Sequence, residues 1–309
     1  MIFTYDAVKD NPRLLKTMTS LNREEFEKLL LPFQSAWESY PKVVFPSDQK
    51  SQHQDGSGRK PVLVQMADKL LFILYYIKVY PLQEILAFEF GMSQGQACYW
   101  IHLLSGVLAQ ALAFLHQLPE RQPAQLADKL TEAGEEKLGI DGTERRIRRP
   151  KDDEKQRQYY SGKKKAHTVK NNVIVTLNSR RVRYLSATHE GKKHDKKICD
   201  EEQPTLPAGS TLYKDTGFQG YEPEGVNTVQ PKKKPRGQEL SVEDKERNRL
   251  ISRVRVIIEH ILSGVKRCRI VKDILRNTKD KFDDLVMAIA CGLHNFRTEC
   301  RLKPTAAAT

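Results

Sequence analysis

"KLGIDGTER", residues 137–145, is the stretch that decides the fold. It is apolar at its start, and Asp141 closes its apolar part, which is typical of a short strand that ends in a turn. Four more short, β-rich segments with turn residues between them come after it: "HTVKNNVIVTLN", "RVRYLSATHEG", "STLYKDTGF" and "VNTVQP". Long helical patterns then cover about 241–268 and 283–300. This order predicts an α/β region in which helices cover a mixed sheet.

The segment before this region is helical throughout. Apolar residues recur at helical spacing from Val64 to Val79, and a second, short helix is predicted after Pro81. Gly91 interrupts the pattern, and Ser93 has the composition of an N-cap for a third, longer helix. This succession is typical of a helix-turn-helix within about 64–115. An ordinary helical bundle gives the same pattern and stays the alternative.

If the helix-turn-helix interpretation holds, the start of the third helix faces the major groove of DNA. The residues predicted to contact DNA there are Ser93, Gln94, Gln96 and Tyr99.

The boundary between the two regions is predicted at "PERQPAQLADKLTEAGEE", which contains two prolines. We therefore expect a helical N-terminal region over 1–118, a linker over 119–136 and the α/β domain over 137–309. A polar, glycine-bearing stretch at 46–61 predicts a surface loop or flexible connector.

Composition narrows the class of protein. The formal net charge is +13 and the isoelectric point is about 9.4, which favours a polyanionic partner such as nucleic acid. The five cysteines show no CxxC pairing, so neither a zinc site nor a disulfide framework is indicated. No signal peptide is visible, and the longest apolar stretch is too short to span a bilayer. We expect a soluble, cytoplasmic protein without a membrane partner.

Three acidic residues lie at positions where a carboxylate could bind a metal ion or take part in catalysis. Asp141 and Asp215 each close a predicted strand, and strand-end carboxylates point to the rim of a sheet where ligands collect in α/β folds. Glu259 lies in the long helix "RVRVIIEHILSGVKR", residues 253–267. Taken singly, each has an ordinary explanation, because Asp-Gly-type turns are common and a helical Glu four residues after Arg255 forms a surface ion pair.

The geometry of the long helix weakens the ordinary explanation for Glu259. At about 100° per residue, Arg255, Glu259 and Lys266 fall within roughly 40° of one another. An apolar stripe of Val254, Ile258, Ile261 and Val265 lies about 100° away and can pack on the sheet. The basic–acidic–basic row would then lie near the rim, where Glu259 could bind a metal while the two bases contact phosphate.

Carboxylates in such a set suit magnesium. Mg²⁺ is a hard cation that prefers oxygen ligands and commonly binds a few carboxylates together with substrate phosphate. Two ions about 4 Å apart can clamp an in-line displacement at phosphorus. We therefore expect Asp141, Asp215 and Glu259 to bind two Mg²⁺ ions, with Mn²⁺ able to substitute.

Five motifs together resemble the DDE transposases of bacterial insertion sequences, in the group related to the Harbinger elements. They are "GIDGTE", "YYSGKKKAHTVK" (159–170), "GKKHDKK", "YKDTGFQGY" and the spacing of Arg255, Glu259 and Lys266. The resemblance covers roughly residues 60–300. The chain departs from it at Ser252, where relatives carry a tyrosine three residues before the signature arginine.

The resemblance implies a ribonuclease H-like domain, a five-stranded mixed sheet with helices on both sides. Asp141 would lie on the first strand, Asp215 after the fourth and Glu259 on a later helix. It also implies magnesium-dependent cutting at transposon ends, attack of the freed 3′-hydroxyl on target double-stranded DNA, and a homodimer or higher assembly that holds two ends.

Other residues of these motifs have alternative interpretations. Lys163, Lys164 and Lys165 are predicted to alternate across a strand, where some contact DNA phosphates, although lysines that protect an edge strand give the same pattern. His167 has no partner at metal-binding spacing, so a structural or DNA-facing role is favoured. Asp195 is a rival acid that could also cap a following helix.

Two other functions stay open at this point. A catalytically silent or domesticated DNA-binding regulator would share the basic charge and the helix-turn-helix, and a nuclease of the same fold would cut DNA without joining it. Inverted repeats beside the gene would favour the mobile element, and a joining assay would separate transposase from nuclease.

Overall fold

The computed structural model describes residues 3–41, 62–234, 237 and 239–302. The expected connector at 46–61 lies outside the described residues. The chain forms two compact units, Met1–His116 and Gln117–Thr309. The break falls immediately before the proline-containing stretch.

The N-terminal unit is helical, as predicted. Its helices are α1 (Tyr5–Val8), α2 (Pro12–Thr19), α3 (Arg23–Ser39), α4 (Met66–Val79), α5 (Gln83–Glu89) and α6 (Gln94–Phe114). The helix α3 begins at a capping box, in which the Asn22 side chain accepts from the Glu25 amide and Glu25 accepts from the Asn22 amide. In the described part of the chain, α6 alone is long and apolar enough to cross a membrane, and 44% of its most apolar window is buried.

The turn between α5 and α6 has the expected chemistry. Gly91 has a φ of 65°, a left-handed conformation that glycine adopts without steric cost. Ser93 is the N-cap of α6, and its side chain accepts from the Gln96 amide while Gln96 accepts from the Ser93 amide. The turn between α5 and α6 is thus defined by a left-handed glycine and a capping box.

The C-terminal unit contains seven strands and five helices in its described residues. The strands are β1 (Lys137–Arg146), β2 (Tyr160–Ser161), β3 (Ala166–Thr176), β4 (Val182–Leu185), β5 (His189–Glu190), β6 (Thr211–Tyr213) and β7 (Asn227–Val229). The helices are α7 (Leu126–Glu132), α8 (Asp153–Tyr159), α9 (Asp195–Glu202), α10 (Val242–Val265) and α11 (Phe282–Arg301).

Five strands carry the mixed sheet, in the order β4–β3–β1–β6–β7. The strand β3 runs antiparallel to both β1 and β4, whereas β6 runs parallel to both β1 and β7. The two-residue strands β2 and β5 also pair with β3. The five-stranded mixed sheet is confirmed, and Asp215 follows β6, the fourth of the five strands in chain order.

Both faces of β1 are covered. Leu138 and Ile140 are buried in a core cluster with residues of α7 and α9. Gly139 lies between them and faces the other way, because side chains alternate along a strand. A Cβ atom at Gly139 would lie 2.4 Å from Cδ1 of Ile258, so α10 packs directly against this position. The apolar stripe of α10 therefore packs on the sheet, as predicted.

Two expectations need correction. Residues 119–136 are not a separate linker, because α7 lies within them and its Leu126 and Leu130 are fully buried in the core under β1. The prolines bound this helix and do not mark an extended connection. Lys163, Lys164 and Lys165 do not alternate across a strand either, since they lie in the turn between β2 and β3, and Lys165 has a φ of 47°.

Candidate functional site

Two aspartates lie just beyond the paired segment of the neighbouring parallel strands β1 and β6, each two residues after the last pair, Gly139 with Tyr213. The expectation that Asp141 closes its strand is wrong, because β1 continues to Arg146 in antiparallel pairing with β3. Asp141 is in β1, and its Oδ1 accepts a hydrogen bond of 2.8 Å from the Gly142 amide. Asp215 follows β6 and caps a single helical turn, its Oδ1 accepting from the Gly217 amide at 2.7 Å. We call Asp141 and Asp215 the acidic rim.

The two carboxylates of the acidic rim repel each other. Burial, and after it the neighbouring charge of Asp215, raise the pKa of Asp141 to about 6, against the lowering effects of the Gly142 amide and Arg255. Two carboxylates in mutual repulsion favour a cation between them. The donor set consists of carboxylate oxygens, which Mg²⁺ and Mn²⁺ prefer, so a divalent ion fits the residues present.

A buried lysine holds the Asp215 segment in place. Lys214 is only 1% exposed, its ammonium pairs with Glu222 at 2.6 Å, and it also donates to the Tyr221 carbonyl. The Asp215 carbonyl in turn accepts from the Gln230 side chain at 2.9 Å. These bonds fix the direction in which the Asp215 carboxylate leaves the sheet.

Two bases of the predicted row reach the acidic rim. The Arg255 guanidinium lies 3.9 Å from Oδ2 of Asp215. Lys266, directly after α10, interacts with the charge of Asp141, although burial lowers the pKa of the lysine. The structure therefore brings Asp141, Asp215, Arg255 and Lys266 together.

Glu259 is placed differently. It lies on α10 between Arg255 and Lys266, one helical turn beyond Arg255, and is exposed. Among the described residues, no three His, Cys, Asp or Glu side chains are arranged to hold one metal ion. Its neighbour Ile258 packs on Gly139, which shares a face of β1 with Asp141. Glu259 is thus on the helix that covers the face of β1 on which Asp141 lies.

Asp195 lies over the opposite face of β1. A Cβ atom at Gly142 would be 2.6 Å from its Oδ1, and Gly142 and Asp141 project to opposite faces of the strand. Asp195 does not cap α9, because it is the first residue of that helix and His194 occupies the N-cap position. Its Oδ1 instead lies 3.1 Å from the Lys170 ammonium.

A lysine-lined cleft of about 380 Å³ opens beside the rim. Its basic residues are Lys163, Lys164, Lys170, Lys192, Lys193 and Lys266, and its acidic residues are Glu144 and Asp195. We call this the lysine cleft. Lys170, Lys192 and Lys193 were not among the predicted site residues, although all three fall within the quoted motifs. The signal that could have identified Lys170 is the alternation of side chains along β3. In the structure, Lys170 pairs with Glu144 of β1.

The remaining predicted contacts lie outside this cluster. Lys165 is exposed in the β2–β3 turn and does not line the lysine cleft. His167 packs its ring against Tyr160, with 5.6 Å between the ring centroids. In the N-terminal unit, the four predicted contacts lie at the start of α6, and all four are exposed there, as a surface that contacts DNA requires: Ser93, Gln94, Gln96 and Tyr99.

Charge is divided unevenly between the two units. Residues 1–116 contain as many Asp and Glu as Lys and Arg, so the whole formal charge of +13 lies in residues 117–309. Attraction to DNA phosphates therefore comes from the unit that contains the acidic rim. The exposed polar residues of α6 suit contacts to base edges instead.

Comparisons with known proteins match the N-terminal and the C-terminal part of the chain to different family models. The family model of the DDE superfamily endonuclease matches residues 140–295, and the helix-turn-helix of the DDE superfamily endonuclease matches residues 62–114. The probable transposase for insertion sequence element IS702 of Microchaete diplosiphon is 25% identical over 285 residues, covering 92% of this chain and 94% of that protein. No solved structure matches the chain.

Proposed function

The chain belongs to the DDE superfamily of endonucleases, and we propose that it is a DNA transposase that cuts at terminal inverted repeats and joins the 3′-hydroxyl ends to target DNA. The helix-turn-helix and endonuclease parts, in the same order as in a transposase relative, support this proposal. We further propose that it acts as a homodimer or higher assembly on double-stranded DNA, in the bacterial cytoplasm at the nucleoid.

The single observation that carries the catalytic proposal is the placement of two aspartates just beyond the paired segment of β1 and β6, with two bases of the α10 segment near them. Arg255 contacts Asp215 and Lys266 interacts with Asp141. Glu259 lies between those two bases on the same side of the helix. We propose that its exposed side chain joins the two aspartates as a third carboxylate when the ions and DNA are bound.

We assign Asp141, Asp215 and Glu259 as the ligands of two Mg²⁺ ions, for which Mn²⁺ can substitute. When bound, such ions lower the barrier to phosphodiester displacement by stabilising charge on the attacking and leaving oxygens. The protein's own part is to position DNA. Lys163, Lys164 and Lys266 can contact backbone phosphates, while Arg255 steadies the Asp215 carboxylate.

We choose Glu259 as the third ligand because it lies between Arg255 and Lys266 on α10, and Asp195 is the rival, since its Oδ2 would lie 3.4 Å from a Cβ atom at Gly217 and its charge raises the pKa of Asp141. Asp195 lies over Gly142, on the face opposite Asp141, and is paired with Lys170. We infer that Asp195 orients Lys170 toward the lysine cleft and does not bind the ions.

The test is a cleavage assay on duplexes that carry the element's ends, with Mg²⁺ and with a chelator. Asp141→Asn, Asp215→Asn and Glu259→Gln should each slow cutting at least about 100-fold, or about 2.7 kcal/mol in the barrier, and leave DNA binding intact. Glu243→Gln is the matched control, because Glu243 is an exposed glutamate in the first turn of the same helix.

Three results would change the proposal. Full cleavage by Glu259→Gln together with loss of cleavage in Asp195→Asn would make Asp195 the third ligand. Cleavage without any strand joining would reduce the activity to that of a nuclease, and binding of the ends without cleavage by the wild-type protein would indicate a regulator.

A further inference from the structure

A second basic cavity lies on another side of α10, at the ends of α10 and α11. Its volume is about 300 Å³, which is at the lower limit of ordinary ligand sites. It is lined by Arg180, His260, Ile261, Gly264, Arg267, His294, Arg297, Thr298, Arg301 and Leu302. We call it the arginine cavity. Among the described residues, the ten that line it include four arginines and no Asp or Glu.

The arginine cavity contains a buried cation with unused hydrogen-bonding capacity. Arg297 is only 3% exposed, and its Nη2 donates to the Gly264 carbonyl at 2.8 Å. Its Nη1 is buried and has no hydrogen-bond partner among the described residues, although the same guanidinium forms a side-chain hydrogen bond with Cys268. A buried guanidinium with an unpaired donor costs free energy, which an anionic acceptor in the cavity would recover.

The surroundings of Arg297 are positive. Burial lowers its pKa, and the charges of Arg267 and Arg301 lower it further. Glu299 is the acidic residue of the same turn of α11, but it pairs with Arg181 at 3.1 Å and accepts from Gln117. The ten described residues that line the cavity thus include no carboxylate.

The cavity is separate from the acidic rim. His260 and Gly264 lie roughly 100–140° around α10 from Glu259, at about 100° per residue. Lys266 lines the lysine cleft, whereas Arg267, the next residue, lines the arginine cavity. The end of α10 thus divides two basic sites, and the lysine cleft is the one that adjoins the aspartates.

We propose that the arginine cavity binds a phosphate group. The planar guanidinium of Arg297 would donate its Nη1 hydrogens to one phosphate oxygen, and Arg267 and Arg301 at the rim would contact the others. Two sources carry this chemistry, a DNA backbone phosphate and the free phosphate ion. The choice of DNA as the source rests on the proposed function, whereas the phosphate chemistry rests on the cavity alone.

The test uses the full-length protein without divalent metal and without transposon ends, so that its outcome is independent of cleavage. The variant Arg267→Ala/Arg301→Ala removes two of the three exposed arginines that line the cavity and keeps Arg180. The matched control is Arg247→Ala/Arg249→Ala, two exposed arginines of α10 that do not line the cavity. Circular dichroism establishes that both are folded.

The first arm measures the thermal midpoint in inorganic phosphate against chloride at equal ionic strength. We expect phosphate to raise the midpoint of the wild type and the control, and to leave that of the rim variant unchanged. The second arm measures binding to a duplex of arbitrary sequence as a function of salt. If DNA supplies the phosphate, the rim variant's log–log salt slope falls by about one for each phosphate that is no longer neutralised.

Disappearance of the phosphate response in the rim variant supports the proposal. A parallel fall in the salt slope identifies DNA as the source, and an unchanged slope identifies the free ion. A wild type without a phosphate-specific midpoint shift, or a rim variant that keeps the shift, would overturn the proposal.

Discussion

The contact between Gly139 and Ile258 sets how closely α10 approaches the sheet. A Cβ atom at Gly139 would lie 2.4 Å from Cδ1 and 2.7 Å from Cγ1 of Ile258, so a larger residue fits only if the Ile258 side chain or the helix shifts. Glu259 is the next residue on that helix. The position of the proposed third ligand therefore depends on the absence of a side chain on β1.

Replacement of Gly139 by alanine should destabilise the protein by about 1–3 kcal/mol, the usual cost of overpacking a buried contact. The same change in an Ile258→Ala background should cost much less, because both obstructing atoms are gone. Urea unfolding of the two single variants and the double variant measures this coupling. Gly162→Ala is the control, since no atom lies within 4 Å of a Cβ there. Additive costs would show that the contact does not set the helix position.

At the residue scale, the sequence predicted which residues belong to the site better than it predicted which residues contact one another. The apolar run before Asp215 correctly placed this residue after a strand, whereas the run before Asp141 did not mark a strand end, because β1 continues through polar residues to Arg146. The meeting of Asp195 with Gly142 did not, because 53 positions of chain separate them and only the packing of α9 on β1 brings them together. Long-range contact of this kind leaves no periodic signal.

At the scale of elements, α10 and α11 meet at a buried histidine. Nε2 of His294 lies 3.0 Å from the Arg180 carbonyl, so the neutral ring must carry its proton on that nitrogen and donate it to the carbonyl. Burial lowers the pKa of His294 to about 4, and the charges of Arg297, Arg267 and Arg181 contribute to this lowering. The helix pair is therefore stable with a neutral histidine.

This predicts a loss of stability in mild acid. The unfolded chain binds a proton at His294 near its ordinary pKa of 6.5, and the folded protein does so only near 4. The stabilisation is complete above pH 6.5 and is lost as the pH falls toward 4, by about 2 kcal/mol between pH 7 and pH 5. Urea unfolding in phosphate-free buffer should show this difference in the wild type and not in His294→Gln. Equal pH dependence of the two proteins would contradict it.

Helices and strands were predicted correctly where hydrophobic periodicity was strong. They were predicted wrongly at the lysine run and near the two prolines. The bounds of β1, α10 and α11 agree with the sequence patterns within a few residues. The lysine run 163–165 gave no alternation to mark where β2 ends, so a turn was taken for a strand. The two prolines near 119–123 concealed α7, since a proline begins a short helical turn there as readily as it ends one.

At the scale of the whole molecule, the fold places recognition and chemistry in different units. The N-terminal unit is electrically neutral and exposes polar side chains at the start of α6, whereas the C-terminal unit has the entire positive charge, the acidic rim and the lysine cleft. Composition predicted a nucleic-acid partner, but the total charge did not reveal this division. The division appears only when charges are counted on either side of the boundary at His116.

The central claim is that Asp141, Asp215 and Glu259, residues spread over more than 100 positions of the chain, together bind divalent ions. Anomalous diffraction at the manganese edge, from crystals of the protein with its DNA ends and Mn²⁺, tests this directly. We predict two peaks between the carboxylates of Asp141, Asp215 and Glu259, and disappearance of at least one in Glu259→Gln. Ordered manganese elsewhere, with none between Asp141 and Asp215, would contradict the claim.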